Sequence, residues 1–349
     1  MIGDKSQVQR AGDSSVNVQA HNVYIAGISA SDARQIALDV YKSNFAALSQ
    51  EAVSTAFRRA EKLTDDLIEK LATQDGKLFA QFQSPGMQLA LLAAQREYAR
   101  TGDDIVEKLL VSILVERAKT HERTLWQIAL EEAISVIPKL TEKQLNILTL
   151  STLLNDHYFI GGTIDGLKWY LSTVMRFEVT ISFRSPEIQH IEFTGCAKVR
   201  PFDSNSNLDV KLKKSFPGLF PSGFTEEQFK NAVPNSERFH VLLEPLRTAG
   251  LLKFKPASFE GINSFFETHG LGDEEKKPLF DFLRLTSLDP KGVRSVLIAI
   301  QPGIEFLFSF ANAEISDLAL TPVGIAIAAA NYTRTMGHSL ALPYSMRDI

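Results

Sequence analysis

The chain holds a single cysteine, Cys196, among its 349 residues. An internal disulfide is therefore excluded, and a lone thiol suits a reducing cytosol. No run of about 18 apolar residues is present, so no segment reads as a membrane span. The first residues lack the apolar core of a signal peptide, which points to a cytoplasmic protein. Neither sign of charge dominates: the net charge is −4 and the pI about 6.0. That balance argues against a broad nucleic-acid footprint and leaves room only for a local basic strip. Neither a Gly-x-Gly-x-x-Gly run nor a Gly-Lys-Ser/Thr run follows Gly161-Gly162, so this pair reads as a hinge and not as a phosphate loop. His190 and Cys196 are the one close His/Cys pair, and no Cys-x-x-Cys or second histidine completes the four ligands zinc needs. They read as a structural histidine and a buried thiol, and no metal or cofactor is indicated.

What is present is ordinary globular material. Hydrophobic residues make up 44 % and charged residues 22 %, enough chain and enough apolar side chain for two domains with cores.

The N-terminal leader has period two. Ser15, Asn17, Gln19 and His21 alternate with Val16, Val18 and Ala20, the pattern of a half-buried strand. The phase flips after Asn22, where Val23 and Ile25 become the apolar positions, so a turn or bulge near His21-Asn22 is expected. A single hairpin is marginal in water and needs a partner. Asn and Gln on one face suit stacking on the same segment of another copy. Two readings stay open here: a partly disordered tail, or an oligomerising β-segment built on Ser15, Val16, Asn17, Val18, Gln19, Val23 and Ile25.

Residues 29 to 158 read as a helical bundle of five or six helices. Ser29 with Asp32 opens the first, and apolar residues at helical spacing run on to Leu71, giving one very long helix or two in tandem. Its length would let it pair with another copy. Pro85-Gly86 opens a second, Asp103 caps a third over Ile105 to Ala118, Leu125 to Ile137 forms a fourth, and Thr141 with Gln144 opens a fifth. Glu131-Glu132 point about 100° apart on a helix and make no paired-carboxylate site. His121 and His157 have no ligand-spaced partner.

Residues 159 to 349 read as a mixed, mainly helical domain with short strands. Phe177, Val179, Ile181 and Phe183 alternate with polar residues and predict a strand, with helix the competing reading over 177 to 199. Glu192 near a strand, and Asp209-x-Lys211 on a second short strand, imitate the acid and acid-x-Lys arrangement of metal-dependent nucleases, in which carboxylates hold Mg²⁺ and a lysine orients water. The bland alternative is a solvated loop and edge strand. A helix is expected over Glu237 to Ala249, a strand at Leu251 to Phe254, and helices at Glu274 to Leu285 and Lys291 to Ala299. Thr321 and Pro322 have the cap and first-turn chemistry of a helix start. The Leu251 and Leu318-to-Ile327 runs look like pieces of a winged-helix domain, although about 65 residues separate them, more than a normal wing. Phe265, Phe266, Phe280, Phe282, Phe306, Phe308 and Phe310 read as core.

Gly12-Asp-x-Ser-x-Asn-x-Gln-Ala20, followed by Asn22-Val-x-Ile25, resembles the opening of many bacterial proteins linked to phage defence. Further runs resemble one uncharacterised bacterial family: Ile36-Ala-Leu-Asp-Val40, Tyr98-Ala-Arg-Thr-Gly-Asp103, Pro138-Lys-Leu-Thr141, Gly195-Cys196 and Leu320-Thr-Pro-Val-Gly324 among them. The resemblance implies a setting and assigns no catalytic residue. The expectation is a mainly α protein: an N-terminal β-segment over 1–28, a bundle over 29–158 and a mainly α domain over 159–349. It would act as a homo-oligomeric scaffold, sensor or effector in antiphage defence, alone or with another defence protein. Nucleic-acid binding by the C-terminal half and metal-dependent nuclease activity are the alternatives.

Overall fold

A computed structural model of the chain describes residues 30–340, apart from 121, 156–161, 183–184, 202–206, 247, 249, 271 and 310–313. Side chains are described from residue 50 onward, with 76 and 77 also excepted. The leader positions Ser15, Val16, Asn17, Val18, Gln19, Val23 and Ile25 therefore lie outside the described residues, as do Ser29, His121, His157 and Phe310.

The described helices are α1 (Ala30–Gln74), α2 (Pro85–Thr101), α3 (Asp104–Lys119), α4 (Leu125–Val136), α5 (Glu142–Asn155), α6 (Ile164–Met175) and α7 (Pro186–Phe193). They continue with α8 (Leu208–Ser215), α9 (Glu226–Ala232), α10 (Phe259–His269), α11 (Asp273–Leu285), α12 (Pro290–Ile300) and α13 (Pro322–Met336). Four short strands are interspersed: β1 (Ala197–Val199), β2 (Leu243–Pro245), β3 (Leu252–Phe254) and β4 (Leu318–Leu320). The chain divides into two compact units, Met1–Arg58 and Arg59–Ile349. In the first, the described part is α1 up to residue 58; the rest of α1 and every later element belong to the second.

The mainly helical expectation holds, and the reason is local. Asp103 Oδ1 accepts the N–H groups of Ile105 (2.7 Å) and Val106 (3.2 Å), satisfying two orphan donors of α3. Thr141 and Gln144 form a reciprocal pair at the start of α5: the Thr141 N–H donates to Gln144 Oε1 at 2.9 Å and the Gln144 N–H to Thr141 Oγ1 at 3.4 Å. Thr225 and Gln228 repeat the device on α9. Thr225→Ala should therefore lower stability by about 1 kcal/mol, read as a shift of the urea midpoint with unchanged slope.

Helix α13 is the centre of the second unit, packing on α3, α4 and α5. The main core joins Leu63, Leu67 and Leu71 of α1 to Leu109 and Leu114 of α3, Leu148 of α5, Tyr170 of α6 and Ile327 of α13. It draws on residues from both sides of position 158. Half of the buried residues of a second cluster are phenylalanine: Phe224, Phe229, Phe239, Phe254, Phe266 and Phe282. Several of its rings meet edge-on or tilted, with Phe224 and Phe282 4.9 Å apart at 74°, while Phe239 and Phe266 stack at 17°, both favoured geometries for aromatic pairs. The phenylalanines expected in the core do pack there, Phe266 and Phe282 buried, Phe306 and Phe308 partly so against the main core.

The strand expectations need correcting. Phe177, Val179 and Ile181 are buried and Glu178, Thr180 and Ser182 exposed, so the alternation is real, and among the described residues this segment lies outside the two sheets. Period two reports which side faces the core. Ile191 and Phe193 lie in helix α7 and not in a strand. Asp209-Val-Lys211 is likewise helical, in α8, because Leu208 and Leu212 bury one face at i,i+4. The helix expected over Glu237 to Ala249 is a 3₁₀ segment, Ser236–Leu242, that passes directly into β2. Pro245 in β2 would break an α-helix there. Finally, β2 pairs with β3, while β4 pairs with β1 at Ala197↔Leu320. The two runs that resembled a winged helix thus sit in different sheets and do not form one wing.

Candidate functional site

The three residues of the nuclease alternative are each engaged elsewhere. Glu192, on α7, accepts the Val199 N–H at 2.7 Å. Asp209, on α8, is buried and takes two hydrogen bonds from Arg294 of α12, Nε at 3.1 Å and Nη2 at 2.9 Å, on one oxygen. Lys211 donates to Asn155 Oδ1 (2.7 Å) and to the Ser316 carbonyl (3.4 Å). Among the described residues, no group of three or more His, Cys, Asp or Glu is placed to hold a metal ion. Cys196 is fully buried, and burial pushes its thiol up, away from the reactive thiolate. The ring of His190 stacks on Phe193, and its Nδ1 lies 2.9 Å from Gln144 Nε2. Both are structural groups in this fold. Glu131 is the acceptor of an Arg117 Nε–H at 2.7 Å.

A groove of about 620 Å³ lies in the second unit. Its walls are the C-terminal part of α1, one face of α3 and the end of α13. Val111 and Val115 form an apolar floor. One end is a charge cluster. Lys62 Nζ lies 3.2 Å from Glu107, 3.5 Å from Asp104 and 3.7 Å from Asp66, and 5.4 Å from the Tyr98 ring centroid. Burial pulls the Lys62 pKa down, but hydrogen bonds to Glu107 and Tyr98 outweigh it and hold the ammonium above its ordinary range. Glu107 is almost wholly buried. Burial first, and then neighbouring Asp66, raise its carboxyl above the usual range, with Lys62 opposing.

The sign of that shift gives a pH prediction. A carboxyl raised in the folded state adds stability that is present below its unfolded pKa and lost as pH rises through the folded value. Glu187 is shifted the other way, to about 2, by Lys143 and Ser185. Its contribution is present above its unfolded pKa and fades only at lower pH, so the window above the ordinary carboxylate range separates Glu107 from it. Glu107→Gln should gain stability relative to the native chain as pH rises across this window. Urea midpoints measured at rising pH test it, and a variant that loses stability relative to the native chain as pH rises would contradict the assignment.

The same α1 helix carries an apolar seam. Val53, Ala56, Phe57, Ala60, Leu63, Leu67 and Leu71 recur in steps of three and four, one face of a helix. Leu63, Leu67 and Leu71 are buried, whereas Val53 and Phe57 are 67 % and 69 % exposed. At 1.5 Å per residue the 45-residue helix is about 67 Å long.

Sequence reasoning found the long helix but missed the groove. Its lining comes from residues 62–74, 107–116 and 333–339, and no local spacing joins them. A model of one protein family matches residues 27–346, under a description that names no activity. No curated protein and no solved structure matches the chain.

Proposed function

The chain belongs to the uncharacterised family matched over most of its length, and we propose that it works as a non-enzymatic, homo-oligomeric scaffold or sensor in bacterial defence against phage. One observation carries the self-association: the α1 seam that is buried at Leu63, Leu67 and Leu71 continues in phase to Val53 and Phe57, where it is exposed. Two large apolar side chains on one face of a helix surface are a contact awaiting a partner. A second copy supplies an identical seam, and two such faces bury each other in the manner of a coiled coil. The amide-rich leader, with Asn17 and Gln19 on one side of its alternation, suits stacking between the same copies. The leader's resemblance to phage-defence proteins supports the setting.

Solution mass tests this. The full chain is expected to assemble at micromolar concentration, and Val53→Glu/Phe57→Glu to shift it to a monomer with an unchanged urea midpoint. Removal of residues 1–28 should reduce the assembly further or abolish it. A full chain that stays monomeric across micromolar concentrations overturns the scaffold reading. For the setting, expression in a susceptible bacterium should lower phage plating, and equal plating with and without the protein argues against it.

A further inference from the structure

We infer that the outward face of the α1–α2 pair is a contact surface for a second copy of this chain, with α1 of each copy lying on α2 of the other. The inference rests on the reading of the chain as a homo-oligomer, and it names a contact face beyond the seam at Val53 and Phe57.

Two hydrogen bonds fix how α1 and α2 lie together. Arg59 Nη1 donates to the Ala99 carbonyl at 2.8 Å, and Gln95 Nε2 donates to Thr64 Oγ1 at 2.9 Å. From the first contact to the second, the residue number rises on α1 and falls on α2, so the helices run antiparallel. Both rise about 1.5 Å per residue. Ile68, a turn beyond Thr64, therefore comes level with Leu92, just under a turn before Gln95. Arg96, next after Gln95, comes level with Leu63, between Glu61 and Asp65.

The outward residues follow the helical repeat. Glu61, Asp65 and Ile68 recur in steps of four and three on α1, and Leu89, Leu92 and Arg96 in steps of three and four on α2. All of them are exposed, the three apolar ones at 43 % for Ile68, 66 % for Leu89 and 40 % for Leu92. Arg100 on the same helix is matched by Glu97 at 2.7 Å. Glu61, Asp65 and Arg96 have no ion partner among the described residues. The face is thus apolar at one end, and at the other it is acidic along α1 and basic along α2.

Such a face is complementary to itself. A two-fold axis parallel to the helices carries α1 of one copy over α2 of the other. It sets Glu61 and Asp65 against the other copy's Arg96 at the same level, and Ile68 against its Leu92 and Leu89. An axis across the helices would set acid on acid, which like charge disfavours. A partner of single charge would match only one of the two helices. Charge therefore selects both the second copy and its orientation.

Solution mass of the full chain over a dilution series tests the face. Glu61→Arg/Asp65→Arg makes the charged end wholly basic, and Arg96→Glu makes it wholly acidic. Each should weaken self-association at least about tenfold. An equimolar mixture of the two should assemble as the native chain does, because acid again meets base. Leu89→Gln/Leu92→Gln leaves the charges alone and should weaken association likewise. All these side chains are exposed, so the urea midpoints should stay at the native value. A native chain that stays monomeric overturns the oligomer reading and this face with it. A native assembly that these variants do not weaken, or reversals that the mixture does not rescue, overturns this face alone and leaves the seam at Val53 and Phe57 to hold the copies together.

Discussion

Gly324→Ala should destabilise the protein by about 3 kcal/mol or more, although helix propensity favours the change. Position 324 is in the first turn of α13, and alanine is better than glycine inside a helix by about 1 kcal/mol. The surroundings reverse that preference. A Cβ at 324 would stand 2.0 Å from the Cys196 carbonyl oxygen and 2.9 Å from its carbon. The carbonyl has little freedom to retreat. It accepts the Thr321 N–H at 2.9 Å and the Thr321 hydroxyl at 3.1 Å, and the same hydroxyl donates to Gly195 at 2.7 Å. Thr321 also caps α13 by accepting the Gly324 N–H. Relief of the clash therefore pulls α13 off the β1–β4 junction, and α13 packs on α3, α4 and α5. Overpacking alone costs about 1–3 kcal/mol, and the lost cap and carbonyl bonds add to it. Urea unfolding of the variant measures the total. Gly272→Ala is the control, since a Cβ there meets nothing within 4 Å; as the N-cap of α11 it should cost no more than about 1 kcal/mol. A Gly324→Ala protein as stable as the native chain would show that the helix and β1 are not locked together.

That junction also shows what the sequence made legible. Gly195-Cys196 and Leu320-Thr-Pro-Val-Gly324 were two of the runs that carried the family resemblance, 125 residues apart. In the fold they touch. Their residue types answer a packing need: a glycine where backbone meets backbone, and a threonine that caps and cross-links. Helix starts at Asp103, Thr141 and Thr321 were readable because a cap is settled within four residues. The seam of Leu63, Leu67 and Leu71 was readable for the same local reason. Misreadings fell where burial and pairing separate. Phe177 to Ser182 alternates in burial outside the two described sheets, and Leu208 with Leu212 turned an apparent acid-x-Lys strand into helix. The groove was invisible because Lys62 and Glu107 are 45 residues apart, and which charged groups lack partners emerges only after the fold has paired the others.

Asp209→Ala is expected to lower stability by about 2 kcal/mol, and this bears on how any loss of activity in it should be understood. Asp209 is 1 % exposed, and its Oδ2 receives two guanidinium hydrogen bonds from Arg294. Breaking a fully buried ion pair by removing one partner costs about 3–5 kcal/mol. The lower figure applies here because the Arg294 side chain is 40 % exposed, so water solvates part of the stranded charge. Arg294 also lies 4.5 Å over the Phe308 ring, which keeps it seated on the core edge after its partner has gone. Arg294→Ala removes both that stacking and the partner of the buried carboxylate, and should cost at least as much. A double-mutant cycle over the two positions isolates the pair, with a coupling of about 1–2 kcal/mol expected. The pair ties α8 to α12, so Asp209→Ala perturbs the fold of this region. A nuclease assay on that variant alone therefore confuses catalysis with folding. Lys211→Ala separates them: its ammonium contacts Asn155 and a backbone carbonyl at the surface, and its loss should cost under about 1 kcal/mol. Metal-dependent DNA cleavage by the native chain, lost in Lys211→Ala at an unchanged urea midpoint, would revive the enzymatic alternative. Absence of cleavage by the native chain, together with the coupling at Asp209 and Arg294, assigns this carboxylate to the architecture.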